Sequence, residues 1–186
     1  MKYLITMLML LNLTACEVPV LNEDRKMIWV NHGAEDFPHV LKVPTSMQAQ
    51  YGTAISNAVS TWNTELGTTA FEVEYQNSVN WEDDRIVLKE ETFKDGKICG
   101  TDNYKVAYTN FHVKTATTHS IEIQLFCLTK DLANYDFETV IVRELGRSLG
   151  LGFINSPNSV LHKEIKTTDV RKTLSNDDQD ELYRVY

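Results

Sequence analysis

Cysteine is scarce, three residues in 186, so the chain can close at most one disulfide and cannot rest on a disulfide framework. No run of lysine or arginine exceeds two residues and the formal net charge is −8, which leaves no basic patch to argue for nucleic acid or an anionic membrane face as a partner. No apolar stretch reaches the roughly 20 residues that a bilayer-spanning helix needs. A glycine-rich phosphate loop, a nucleophile elbow, an internal repeat and a low-complexity tract are likewise missing, so nucleotide chemistry and serine-type hydrolysis have no support.

What is present begins at the N-terminus. Met1-Lys2 supplies a positive start, Tyr3 to Leu11 is almost wholly apolar, and Leu13-Thr14-Ala15-Cys16 follows. A short apolar run after a basic start reads as a secretory signal. Its ending resembles the bacterial lipobox, in which cleavage precedes the cysteine and that cysteine takes lipid. The implied layout is a lipoprotein signal peptide at 1–15, lipidated Cys16 as first mature residue, a polar tether at 16–26, and one domain at 27–186. The chain is then exported and lipid-anchored to a bacterial membrane, on its periplasmic or cell-surface side; a buried cysteine behind an ordinary signal peptide is the alternative. With Cys16 assigned, Cys99 and Cys127 form an even pair in an oxidising compartment, and a disulfide between them is expected. Such a bridge stabilises by roughly 3–4 kcal/mol in the chain-entropy account. Two free buried thiols are the other reading.

Within the domain, Met27-Ile28-Trp29-Val30 reads as a first strand. Thr45 and Gln48 are spaced as a capping box, and Met47, Tyr51, Ile55, Ala58, Trp62 and Leu66 recur every three or four residues, which predicts a helix with one apolar stripe ending at Gly67. Phe71, Val73 and Tyr75 alternate with glutamates, Ile86-Val87-Leu88 is a continuous apolar run, Tyr104 to Tyr108 reads as another strand, and Ile121, Ile123 and Leu125 alternate with polar residues. Residues 95–100 and 110–118 read as loops. A second helix is capped by Asp136, carries Phe137, Val140, Ile141, Leu145 and Leu149, and stops at Gly150 and Gly152. Ser175 caps a last helix with an acidic first turn, running to Tyr186. This order is α+β, with α/β-like character: helices against a mixed sheet.

The second helix carries a recognisable pattern. Arg143-Glu144-Leu145-Gly146-Arg147-Ser148-Leu149-Gly150-Leu151-Gly152-Phe153 resembles the zinc helix of matrixins, a metzincin family of metalloproteases whose pattern is His-Glu-x-x-His-x-x-Gly-x-x-His. Ser159-Val160-Leu161 resembles the family's Met-turn, Leu174-Ser175-Asn176-Asp177-Asp178 resembles the start of its last helix, and Trp62-Asn63 followed by Phe71 resembles its first helix and strand. The resemblance implies the matrixin catalytic-domain fold: a twisted mixed sheet, two long helices and a C-terminal helix. It also places the three zinc-ligand positions on Arg143, Arg147 and Phe153, the general base on Glu144 and the Met-turn residue on Leu161.

Those substitutions bear directly on chemistry. Histidines at i and i+4 point neutral ring nitrogens at one zinc ion, which lowers the pKa of a bound water to about 7 so that the adjacent glutamate can take its proton. A guanidinium has no lone pair to donate, and a phenyl ring offers no ligand atom. The expectation is a catalytically degenerate, peptidase-like lipoprotein without zinc or another cofactor, in which Glu144 pairs with Arg147 or with Arg143. Its role is then non-catalytic, as a scaffold or as a binder of a peptide or protein in the former substrate cleft. The two arginines either fill the hole as an internal ion-pair network or present a carboxylate-binding site. The competing class is an active zinc metalloendopeptidase with unfamiliar ligands, for which His32, His39, His112, His119 and His162 are the histidines at hand; among them His162, beside the Met-turn position, is the candidate ligand, and the pair His112 and His119 is the candidate for a second, structural zinc of the kind some matrixins bind.

Overall fold

A computed structural model of the chain describes residues 37–80, 86–91, 93–94, 97–98, 106–113, 119–126 and 132–186. The expected signal peptide and tether, the strand expected at Met27–Val30, and Cys16, Cys99, Cys127 and His32 lie outside the described residues, as does the side chain of His119.

The strands are β1 (His39–Pro44), β2 (Phe71–Gln76), β3 (Ile86–Glu91), β4 (Phe93–Lys94), β5 (Lys97–Ile98), β6 (Ala107–Val113) and β7 (His119–Phe126); the helices are α1 (Gln48–Leu66), α2 (Phe137–Ser148) and α3 (Asn176–Val185). Five strands form one mixed sheet in the order β2-β1-β3-β7-β6. The pairs β1–β2, β1–β3 and β3–β7 are parallel and β6–β7 is antiparallel. Parallel neighbours need a crossover, and α1 supplies the one between β1 and β2. The fold is α+β, as the sequence pattern implies.

Several boundaries differ from the sequence reading. The first described strand is β1, where His39, Leu41 and Val43 are buried and alternate with partly exposed Val40 and Lys42. The helix after it is not opened by a Thr45 capping box: Pro44 is extended, Thr45–Met47 is already a 3-10 turn, and α1 begins at Gln48 without a side-chain cap. Thr45 therefore sits inside the turn, where its hydroxyl cannot reach the helix's free N–H groups. The strand expected at Tyr104–Tyr108 lies later, as β6, so residues 110–113 are paired instead of looped. Within the stretch expected to be a loop at 95–100, Lys97–Ile98 pairs antiparallel with Phe93–Lys94.

The apolar faces meet in one core. Leu41, Ile86, Leu88, Ile123 and Leu125 come from the sheet, Ile55, Ala58 and Trp62 from α1, and Val140, Ile141 and Leu145 from α2, all between 0 and 1 % exposed. Full burial of each large aliphatic side chain is worth about 1.5–3 kcal/mol relative to exposure. Trp62 also donates its indole N–H to the Val142 carbonyl at 2.7 Å, which fixes α1 against α2. Asn63 beside it clamps the start of β2: its Oδ1 accepts from the Ala70 and Phe71 amides at 2.9 and 2.8 Å, and its Nδ2 donates to the Phe71 carbonyl at 2.9 Å. These two side chains are the physical content of the Trp62-Asn63…Phe71 pattern. Among the described residues no helix is long and apolar enough to cross a membrane.

Candidate functional site

Helix α2 is buried over most of its length, with Phe137, Glu138 and Arg147 partly exposed. Asp136 caps it by accepting from the Thr139 amide at 2.8 Å, and every residue from Thr139 to Gly146 is buried. Close packing explains Gly146. A Cβ there would lie 2.4 Å from Trp62 Cζ2 and 2.7 Å from Leu161 Cδ2, so only a glycine lets α1 and the 159–161 turn close on the helix. Leu161, in the segment that resembles the Met-turn, is 0 % exposed and lies beneath α2 at the turn joining Arg143 to Arg147.

Charged groups inside such an element need partners, since an unpaired buried charge is costly. Glu144 is 2 % and Arg143 8 % exposed, and Arg143 Nη1 donates to Glu144 Oε1 at 3.0 Å. The second guanidinium nitrogen, Nη2, donates to the Lys163 carbonyl at 2.8 Å. The other carboxylate oxygen, Oε2, accepts from the Thr109 hydroxyl of β6 at 2.6 Å. Of the two pairings open to Glu144, the structure therefore has the adjacent one. Arg147, in the last turn of α2, is drawn instead to the carbonyl-rich helix end, where Nη1 donates to the Leu151 carbonyl at 2.5 Å. Burial is the largest influence on Arg147 and pulls its pKa below the ordinary arginine value; Glu144 opposes this and the like charge of Arg143 adds to it.

Beyond α2 the chain reverses at Gly150, whose φ of +83° is a left-handed conformation that suits glycine. Phe153 is thereby returned over the helix. Its ring lies 4.2 Å from the Arg147 guanidinium carbon and 5.1 Å from that of Arg143. The side chains at 143, 147 and 153 thus converge on one point, as the three-ligand pattern requires, but meet as two cations on an aromatic face.

The turn beneath is held from two directions. Asp178, 0 % exposed, accepts from the Ser159 hydroxyl at 2.5 Å and the Val160 amide at 3.0 Å, while completing the capping box of α3 with Ser175. Arg171 donates to the Ser159 carbonyl at 2.7 Å and the Glu164 carbonyl at 2.8 Å, and pairs with Asp169. Beyond the turn, the Ile154 amide donates to the Leu161 carbonyl at 3.1 Å, which ties the segment after Phe153 to the turn.

A family model described as matrixin matches residues 37–186. The chain belongs to the matrixin family. A comparison with curated proteins finds no match. Membership makes this a metallopeptidase-like protein, and the resemblance of the 143–153 segment to the family's zinc motif is what places the three ligand positions on Arg143, Arg147 and Phe153. These residues do not fit zinc: two are cations with no lone pair, the third has no donor atom, and both guanidinium groups already crowd the point where the positions meet. Nor do the described histidines of this matrixin gather there. His162 turns to the Glu164 carbonyl at 2.9 Å, His112 lies 3.4 Å from Glu122 Oε2 on the sheet, and His39 is buried in β1. Among the described residues no group of three His, Cys, Asp or Glu side chains is placed to hold a metal ion.

Sequence reasoning missed Thr109 and Arg171, and read Asp178 only as part of the last helix's start, not as a support of the 159–161 turn. Thr109 had a readable signal, because Ala107, Thr109 and Phe111 alternate at strand spacing. Asp178 and Arg171 act across long loops, where spacing says nothing about distance.

Proposed function

We propose that this matrixin is a non-catalytic member of its family, an exported lipoprotein that binds a peptide or protein segment, or serves as a scaffold, without hydrolysing a peptide bond. The observation that carries the reading is the filled ligand point: Arg143 and Arg147 stacked on Phe153, with Glu144 engaged through both oxygens by Arg143 and Thr109. In the family reaction, zinc activates the water and the glutamate takes its proton. Here the glutamate compensates a buried arginine instead, and a water without metal, with a pKa of about 15.7, gives it almost no hydroxide to deliver. The edge strand β6, which carries exposed Tyr108 beside Thr109, borders this point and can accept an extended segment by strand addition. Lipid on Cys16 would hold the domain at a membrane, and a Cys99–Cys127 bridge would brace it outside the cytoplasm.

Metal analysis of the full-length protein purified in detergent, with a chelator-controlled peptidase assay on the same sample, tests the proposal. The expected outcome is far less than one zinc per chain and no chelator-sensitive cleavage. Stoichiometric zinc surviving dialysis, with cleavage that a chelator abolishes, would establish the active-peptidase reading in its place.

A further inference from the structure

Four arginines lie among the described residues, at 143, 147, 171 and 184. Arg143 pairs with Glu144, Arg171 with Asp169 and Arg184 with Glu181. Among the described residues no carboxylate pairs with Arg147. It makes one hydrogen bond, from Nη1 to the Leu151 carbonyl, and rests on the Phe153 ring. Its neighbour Glu144 is already occupied by Arg143 and Thr109. Arg143 is a different case, with both terminal nitrogens used and Nε buried without a partner.

We propose that Arg147, stacked on Phe153 and anchored at one nitrogen by the Leu151 carbonyl, is a carboxylate-binding residue whose remaining Nε and Nη2 donors take an acidic group of a bound peptide. This rests on the reading that the cleft binds without cutting. Three physical points favour a carboxylate. A guanidinium offers two parallel N–H groups that match its oxygens. Stacking and the Leu151 anchor hold the side chain in one orientation, so little freedom is lost on binding. Finally, Arg147 carries a charge that burial penalises and Glu144 only partly relieves, and an incoming anion completes the compensation. The acidic group can be a chain-terminal carboxylate or a Glu or Asp side chain, which share this chemistry.

The test uses full-length protein in detergent and four pools of fluorescein-labelled octapeptides, randomised among uncharged residues. The pools combine a free or amidated C-terminus with Glu or Gln at one central position. Fluorescence anisotropy is expected to show at least one carboxylate-bearing pool binding about tenfold or more tighter than the amidated Gln pool, the difference of a good charge-assisted pair. Whether the free terminus or the Glu side chain produces the gain identifies the source. Arg147→Met should erase the preference, and Arg147→Lys, which keeps the charge without the planar fork, should retain only part of it. Equal binding of all four pools, binding of none, or a preference that survives Arg147→Met in a folded variant would overturn the proposal. Mass spectrometry of the recovered peptides keeps the two ideas apart: intact peptides with no preference sink the Arg147 site alone, whereas cleaved peptides sink the non-catalytic reading.

Discussion

Glu144→Gln removes one charge from the interior and changes almost nothing in shape. Arg143, 8 % exposed, would keep its bond to the Lys163 carbonyl and its place on Phe153, and the new amide oxygen can still accept from it. What is lost is the compensating charge. Removing one member of a buried ion pair typically costs about 3–5 kcal/mol, and since hydrogen-bond partners survive here the cost falls to that lower bound or just beneath it, about 2–3 kcal/mol. For a domain of this size that is a fall in Tm of about 4–12 °C. The same reasoning makes Arg143→Met costly, because Glu144 is then buried with only Thr109 to bond. Combining the two should be less destabilising than the sum by about 1.5–3 kcal/mol, since neither charge is then left alone. Urea unfolding followed by tryptophan fluorescence, with Trp62 wholly buried as a reporter, measures all three variants against the wild type. A Glu144→Gln protein within about 0.5 kcal/mol of wild type, or strictly additive variants, would mean that the pair does not compensate Arg143 and that the account of how the metal point was filled is wrong.

Further outcomes are equally direct. Arg143→His, Arg147→His and Phe153→His together should restore zinc uptake measurable by calorimetry, weakened because partners that orient ligands are often worth about 10–100-fold in affinity; a folded triple variant that binds no zinc would contradict the convergence of the three positions. Gly146→Ala should destabilise by about 2 kcal/mol, since overpacking of about 1–3 kcal/mol or more outweighs a helix-propensity gain of about 1 kcal/mol, and a raised Tm would refute the packing of Trp62 and Leu161 on that glycine. Cys16→Ala should move the protein from the membrane to the soluble fraction. Non-reducing peptide mapping should recover Cys99 and Cys127 as one linked pair; both found as alkylated free thiols would reject the bridge.

The sequence alone determined those features whose cause is local in the chain. Asp136 and Ser175 are capping residues because a short oxygen-bearing side chain reaches free amides three residues on, and both caps form. Gly150 ends α2 because the reversal demands a positive φ. The spacing of 143, 147 and 153 around that turn suffices to place three side chains together, so the family was legible from the helix and its flanking motifs. The partnerships inside the site were not. By spacing, Glu144 can take either arginine; the structure joins it to Arg143 because Arg147 is pulled to the Leu151 carbonyl at the helix end, while Thr109 arrives from a strand thirty-five residues away. Threonine and asparagine in that strand hid its pairing, and the parallel register of β1 between β2 and β3 joins segments separated by a helix. Tertiary packing decided these points for one physical reason: burial makes each charge and each amide find a partner, and which partner is near is set by the sheet and the turn beneath α2, not by distance along the chain.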